Sequence, residues 1–166
     1  MSAETPVPDL EAPDPEQTPA RRACVVQVGG RPFAVDVADA REVVVLDATT
    51  PVPGAPASVL GVMNLRGNVL PVVEARPLLG LPVAAASGRG HALVLAVGEW
   101  RAAIPIDRVL GLTAFETAGP PTGRGDHGGL AAGELTPESG GPATLLDARA
   151  VLAALRRPWN AASGGS

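Results

Sequence analysis

The stretch Gly61–Leu81, GVMNLRGNVLPVVEARPLLGL, says most about the fold of this chain. It sets Arg66 between glycines in an otherwise apolar run, and it then passes through a strand pattern, Leu70–Val73, to the carboxylate of Glu74. No nucleophile, general base or cluster of metal ligands stands in it. The pattern therefore predicts a rigid turn that presents one arginine on a β scaffold, which suits a surface for docking a partner.

The role of Arg66 has two interpretations. Because its neighbours are apolar, its guanidinium must find a carbonyl or a carboxylate. In the first interpretation it ties the turn internally, with Glu74 or Glu42 as its partner. In the second it anchors a protein interface, where arginine is over-represented among the residues that carry binding energy. The two are compatible, and the sequence leaves both open.

Outside this stretch the pattern is mostly β. Two hairpins with glycine turns are predicted, one from Cys24–Val28 and Pro32–Val37 and the other from Leu93–Val97 and Trp100–Ile106. Glu42–Leu46 is predicted to be one further strand. Pro51–Pro56 and residues 117–142 are predicted to be loops, since they are rich in Pro and Gly. At the end of the chain, Asp147 as an N-cap favours one short amphipathic helix that ends at Pro158.

The chain contains an internal repeat. The two predicted hairpins match at an offset of 69 residues, and Val73–Leu79 matches Leu146–Leu152 at an offset of 73. Each half thus runs through a hairpin, a strand, a loop, a strand and an acid-Ala-Arg end. We therefore expect a mainly β fold of two small, similar barrels in tandem, related by a pseudo-twofold, with a groove between them.

Composition narrows the function. Four aromatic residues and an uneven net charge of −4 do not fit single-stranded nucleic acid binding, which needs aromatic side chains along a basic groove. The single cysteine, Cys24, excludes a disulfide framework. No signal-peptide pattern opens the chain, and no apolar run is long enough for a membrane span. We expect a cytoplasmic protein without direct insertion into the membrane.

The ends of the chain differ from its middle. Residues 1–20 hold five acids, five prolines and no base, which is the composition of a disordered tail. We therefore expect an acidic Pro-rich tail over 1–20, one domain of two β units over 21–158, and a flexible C-terminal tail over 159–166.

No catalytic, metal or cofactor site is predicted. Glu74 and Asp147 occupy equivalent places in the repeat, so a helix cap and its counterpart explain them better than a catalytic pair. His91 and His127 fall short of a metal site. An enzyme with Glu74 or His127 as its base is the weakest of our hypotheses, and the nucleotide-binding glycine motifs are absent from the sequence.

The central stretch resembles the signature of the CheW-like domain family, GVxNLRGxxxPVxDLRxxLG, which stands here at Gly61–Gly80. The similarity extends upstream to Ala40–Val43 and Pro53–Pro56. Downstream, Ala103–Val109 and Thr144–Arg149 resemble the family's later motifs. The match covers roughly residues 21–157, in order and at fitting spacing.

This resemblance implies two five-stranded SH3-like barrels and a non-enzymatic adaptor. The implied partners are the regulatory domain of a CheA-type histidine kinase and the cytoplasmic tip of chemoreceptors, in arrays to which the protein is recruited. It further implies a set of partner-binding and turn-shaping residues. The former are Arg66, Glu42, Asn64, Val43 and Leu65, and the latter are Gly61 and Gly67.

The sequence also departs from the family pattern. The family's aspartate, leucine, valine and glycine are replaced by Glu74, Ala75, Ala40 and Ala103, and Pro105 enters a predicted strand. If the smaller residues lie at docking positions, they indicate a different partner. Together with the acidic Pro-rich tail, Ala40 and Ala103 motivate an alternative function, a scaffold of a divergent motility or polar-localisation system that binds the kinase without coupling receptors.

Overall fold

The structure is a computed structural model that describes residues 21–47, 49–82, 90–115, 130–137 and 141–164. It contains ten strands and one helix within these ranges. They are β1 (Arg21–Val28), β2 (Arg31–Asp36), β3 (Ala40–Leu46), β4 (Val59–Leu65), β5 (Asn68–Val73), β6 (Gly90–Val97), β7 (Trp100–Ile106), β8 (Arg108–Phe115), β9 (Ala131–Leu135), β10 (Ala143–Leu146) and α1 (Ala148–Gly164). In the part of the chain that is described, no helix has the length and hydropathy of a membrane span.

The strands form two five-stranded sheets of identical plan. One sheet has the order β8-β1-β2-β10-β9, and the other has the order β3-β6-β7-β5-β4. The first of these sheets takes three strands from the second half of the chain, and we call it the second barrel. The other sheet takes three strands from the first half, and we call it the first barrel. The predicted pair of five-stranded SH3-like barrels is therefore confirmed. The tandem arrangement is refined, because each half of the chain contributes its hairpin to the barrel of the other half.

The strand registers show the pseudo-twofold directly. Val94 of β6 pairs with Glu42 of β3, and 69 residues earlier Val25 of β1 pairs with Gly111 of β8. Each of these pairings contains a one-residue register shift, and so does the pairing of β5 with β4 and of β10 with β9. Bulges at matching places in matching strands are structural features rather than accidents. They support the internal repeat.

Both faces of the central strands are buried. Along β1 alternate side chains point to different cores, because successive side chains of a strand face opposite sides of its sheet. Val26 and Val28 join the large core between the two sheets, whereas Ala23 and Val25 fill the interior of the second barrel. Leu70, Val72 and Val94 fill the interior of the first barrel. Small residues such as Ala34 and Ala103 fit these narrow interiors.

Helix α1 closes one side of the large core. Val151, Leu152 and Leu155 are buried there, on the face that the sequence predicts. The expectation that the helix ends at Pro158 was wrong, since α1 continues to Gly164. Proline removes one hydrogen-bond donor but holds a φ that the helix also requires, so the helix continues at the cost of one bond.

Two acidic residues cap equivalent turns, as predicted. The Oδ1 of Asp147 accepts a hydrogen bond from the amide of Ala150, 3.2 Å away, at the start of α1. The Oε1 of Glu74 accepts one from the amide of Arg76, 3.1 Å away. The backbone amides of Glu74 and Asp147 also donate to equivalent carbonyls, at 2.8 Å each. These contacts fix the acid-Ala-Arg end of both repeats.

One predicted loop contains a strand. Strand β9 lies inside the region 117–142 that the sequence predicts to be irregular, although it pairs with β10 over four residue pairs. Its sequence, AAGEL, contains a glycine and few β-branched or aromatic residues, so that local propensity does not show it. Residues 117–129 and 138–140 of that predicted loop, the tail over 1–20 and His127 lie outside the described residues.

Candidate functional site

The predicted arginine turn joins β4 and β5. Leu65 and Asn68 are the last paired residues, so Arg66 and Gly67 form a two-residue loop. Their φ values of 51° and 87° are both positive, as in the type I′ turn that favours tight hairpins. Asn64 accepts a hydrogen bond through Oδ1 from the amide of Gly67, 2.8 Å away. A tight turn is thus present at the predicted place, and Asn64 and Gly67 both take part in it.

Arg66 is unusual for its backbone position. Among the described residues it is the single non-glycine with a positive φ. A side chain in this left-handed region costs about 1–2 kcal/mol relative to an ordinary conformation. Such strain is concentrated at functional sites, because elsewhere glycine or asparagine would relieve it. The side chain at residue 66 therefore has a use that outweighs the cost.

The guanidinium of Arg66 forms a bidentate ion pair with Glu42. Its Nη1 donates to Oε1 at 2.7 Å, and its Nη2 donates to Oε2 at 2.6 Å. Hydrogen bonding to Arg66 lowers the pKa of the Glu42 carboxyl and correspondingly raises the pKa of Arg66. Of the two internal partners that the sequence left open, the structure selects Glu42. Arg66 nevertheless keeps 71% of its side-chain surface exposed, so it remains available to a partner.

The pair joins two strands that lie at opposite ends of the sheet. Glu42 belongs to β3 and the turn follows β4, which are the outermost strands of the first barrel. Beside them, the amide and carbonyl of Thr50 exchange hydrogen bonds of 2.9 Å with those of Val62. Together these contacts close the sheet into a barrel. The ion pair is thus both a closure of the barrel and an exposed feature of its rim.

Gly61 serves this closure rather than the turn. It lies within β4, where a Cβ atom would come 2.6 Å from the carbonyl oxygen of Thr50, and its φ is 151°. Only glycine fits both the backbone conformation and the close approach of the Thr50 segment. The expectation that Gly61 shapes the Arg66 turn was therefore wrong in position, because the residue acts at the barrel seam.

Two other predicted partner-binding residues face largely inward. Val43 is half-buried and packs against the large core, and Leu65 is half-buried and packs against the interior of the first barrel. In the chain, Val43 follows Glu42 and Leu65 precedes Arg66. Any contact they make with a partner is limited to their exposed edges, since most of each side chain already has neighbours.

The ion pair sits in a shallow depression that we call the arginine mouth. It lies on the first barrel and is lined by Arg41, Glu42, Leu65, Arg66, Asn68, Leu70, Val94 and Arg101. Arg41 and Arg101 are exposed, and the sequence analysis missed both. The repeat could have revealed them, because their counterparts 69 residues away are Leu110 and Pro32.

The equivalent place on the other barrel, the second mouth, has a different lining. It is a cavity of about 560 Å³ whose wall includes Val25, Pro32, Leu110, Gly111, Leu112 and Pro137. Arg22 and Arg108 also line it, but the Nε of Arg108 donates to Gln27 at 3.0 Å. Gly111 stands where the first barrel has Glu42. The described part of the second mouth therefore has no counterpart of the ion pair.

The weaker candidates are accounted for structurally. Glu74 is 8% exposed and caps a turn, with the Nε of Arg76 3.6 Å from its Oε1. Ala75 and Ala103 are buried, and Ala40 packs against the large core. Glu74, Ala75 and Ala103 therefore lie in the interior, and Ala40 is half-buried. Within the described ranges, no three His, Cys, Asp or Glu side chains approach one another as metal ligands would.

Comparison with known proteins gives a consistent result. The model of the family described as CheW-like domain matches residues 22–156. A chemotaxis protein CheW from Rhizobium meliloti is 41% identical over 76 residues, which cover 46% of this chain and 48% of that protein. One from Bacillus subtilis is 25% identical over 131 residues, covering 77% and 84%. This chain spans about half the length of the Rhizobium relatives it matches.

A solved structure supports the fold. The scaffolding protein TtCheW from Thermoanaerobacter tengcongensis superposes with a TM-score of 0.66 over 82% of this chain and 90% of that one, at 18% identity. CheW-like proteins are a family of non-enzymatic scaffolds in chemotaxis. Since the family model covers most of the sequence, and the arginine turn and the double barrel are both in place, this chain belongs to the CheW-like domain family.

Proposed function

We propose that this protein is an adaptor that couples chemoreceptors to a CheA-type histidine kinase in a bacterial chemosensory array. The observation that carries the proposal is the Arg66–Glu42 pair on the rim of the first barrel. A strained backbone position holds an arginine that is 71% exposed in a fixed orientation. Such a preorganised side chain loses little conformational entropy on binding, which is what makes an arginine an effective interface anchor.

In this proposal the recruitment of the protein to receptor arrays follows from its partners. The kinase regulatory domain and the receptor tip bind the barrel surfaces, and Arg66 with Glu42 fixes the docking on the first barrel. Asn64 supports the turn, and the exposed edges of Val43 and Leu65 complete the contact. The division of the chain into a tail over 1–20, a domain over 21–158 and a tail over 159–166 stays a prediction.

The experiment measures binding of a purified kinase regulatory domain and of a receptor tip by calorimetry. The test variant is Arg66→Asn, which removes the charge but installs Asn-Gly, the preferred sequence of a type I′ turn. We expect at least one partner to bind about tenfold more weakly or worse, since interface hot spots contribute 2 kcal/mol or more. Arg31→Ala, which removes an exposed arginine of the second barrel, is the control.

Two results would contradict the proposal. If the unmodified protein binds neither partner, the adaptor function is wrong. If it binds both and Arg66→Asn binds them equally well, the adaptor remains but the site is wrong. The alternative of a motility or polar-localisation scaffold stays open, since Ala103 is buried and Ala40 half-buried. It would gain support if the kinase bound while the receptor tip did not.

A further inference from the structure

We propose that the arginine mouth binds an acidic segment of a partner protein, with Arg41 and Arg101 recognising its carboxylates. This inference concerns the chemistry of the partner at the proposed docking site, and it rests on that proposed function. Neither arginine belongs to the signature that identifies the family.

The residues that line the mouth carry more positive than negative charge. Three arginines line it, and the carboxylate of Glu42 is the single acidic group among its lining residues. Both oxygens of that carboxylate are already engaged by Arg66. The side chains of Arg41 and Arg101 form no ion pair or hydrogen bond with any described residue. The rim is therefore left with two uncompensated guanidinium groups, which repel each other and attract anions.

The fold does not require these arginines. At the second mouth, which has the same backbone plan, Leu110 and Pro32 occupy the equivalent positions. Arg41 lies at the bulge of β3, which turns its side chain away from the regular ladder, and Arg101 lies on β7 opposite Ala96 of β6. Both are exposed, so neither contributes to the interior. Their function is therefore to be found outside the chain.

The shape of the site favours a protein segment over a membrane surface. A depression with three guanidinium groups and Asn68 at its edge offers several directed donors to planar carboxylates, which arginine binds in a bidentate manner. Residues such as Leu65 and Leu70 provide an apolar floor for the aliphatic part of a peptide. An acidic segment would thus dock beside Arg66 and be steered there by the field of its neighbours.

The test separates this inference from the proposed function. Amide NMR spectra of the full chain are recorded with a synthetic peptide of alternating Glu and Ser, and with one of alternating Gln and Ser. We expect shifts in β3 and the β4–β5 turn with the first peptide alone, weakening as salt is added. Arg41→Gln and Arg101→Gln should each weaken binding roughly 1.5- to fivefold, as expected for exposed ion pairs, while Arg31→Gln changes nothing.

Several outcomes would overturn the inference. Equal binding of both peptides would exclude carboxylate recognition. Binding of inorganic phosphate, or of phosphatidylcholine vesicles containing a third phosphatidylglycerol, in place of the Glu peptide would indicate a general anion or membrane site. If mouth amides shift when residues 2–20 are deleted, with no peptide present, the chain's own acidic segment is the occupant.

The same variants are then measured with the kinase domain and the receptor tip. Binding of these partners could depend on Arg66 and yet be unchanged in Arg41→Gln and Arg101→Gln. The adaptor function would then be supported, and recognition of an acidic segment by the mouth would be contradicted. If the Glu peptide binds the mouth while neither partner binds, the adaptor function fails and the inference stands.

Discussion

The two barrels share one backbone plan but differ at their mouths. In the first, the rim holds Arg41, Glu42, Arg66 and Arg101, and an ion pair closes the seam between the outermost strands. In the second, Leu110, Gly111 and Pro32 stand at equivalent positions. The difference separates the residues that the fold needs from those that we assign to a partner, because the plan survives without charges at these three positions.

The largest effect is expected at the seam of the first barrel. Gly61→Ala places a Cβ 2.6 Å from the carbonyl oxygen of Thr50, so the Thr50–Val62 bridge must move. We expect a loss of about 2–3 kcal/mol in the free energy of unfolding, measured by urea denaturation. Gly90→Ala is the matched control, since Gly90 has a φ of 155° and open space around it. Equal losses in both variants would mean that backbone strain, and not the seam, sets the cost.

The next effect compares the two acidic caps. Asp147→Ala removes the side-chain acceptor at the start of α1, and we expect a loss of about 1 kcal/mol. Glu74→Ala removes the equivalent acceptor and also leaves the largely buried Arg76 with only Asp107, 3.5 Å away. Its loss should be greater, because an uncompensated buried charge is costly. Thermal unfolding of the two variants measures the difference, and a smaller loss for Glu74→Ala would contradict it.

A smaller, pH-dependent effect is expected from the ion pair. In the folded protein Arg66 lowers the pKa of Glu42, so the pair stabilises the fold fully above the ordinary glutamate pKa of about 4.3. That contribution is lost as the pH falls through the lower folded pKa. In Arg66→Asn the Glu42 pKa, followed by carboxyl NMR, should return towards its ordinary value. An unchanged pKa would mean that Arg66 is not the group that lowers it.

The smallest effect on stability and on peptide binding should follow from placing a further arginine at the second mouth. Leu110 is 43% exposed, so Leu110→Arg buries no new charge and should change the free energy of unfolding by less than about 0.5 kcal/mol. The variant should also gain no affinity for the peptide of alternating Glu and Ser, since Gly111 replaces the ion pair that orients an arginine in the first mouth. If Leu110→Arg gains as much affinity for this peptide as Arg41→Gln loses, any arginine on the rim of a mouth is sufficient for binding.

Much of the fold could be predicted from the sequence, and the exceptions have physical causes. The hairpins followed from β-branched runs around glycine turns, and the repeat predicted two like units. The repeat does not say which hairpin joins which barrel, because either assignment buries the same side chains. Strand β9 was hidden by its weak β propensity, and Pro158 was taken to end a helix that continues through it.

The site was predicted in part. Arg66 stood out because a charge in an apolar run needs a partner, but the choice between Glu42 and Glu74 could not be made. Glu42 lies 24 residues away and comes within reach only once the outermost strands of the sheet meet. Arg41 and Arg101 went unnoticed because an exposed arginine in a strand is ordinary when taken alone. Only comparison with Leu110 and Pro32 makes them informative.

The exchange of hairpins between the halves has a consequence for how the molecule can come apart. The chain passes from one barrel to the other only after Asp36 and again at Asp107, and every barrel holds strands from both repeats. Neither repeat alone can complete a sheet, so the two barrels cannot exist as separable modules. Loss of either hairpin would remove the middle of the opposite barrel, and the pair must therefore be gained, lost and inherited as one unit.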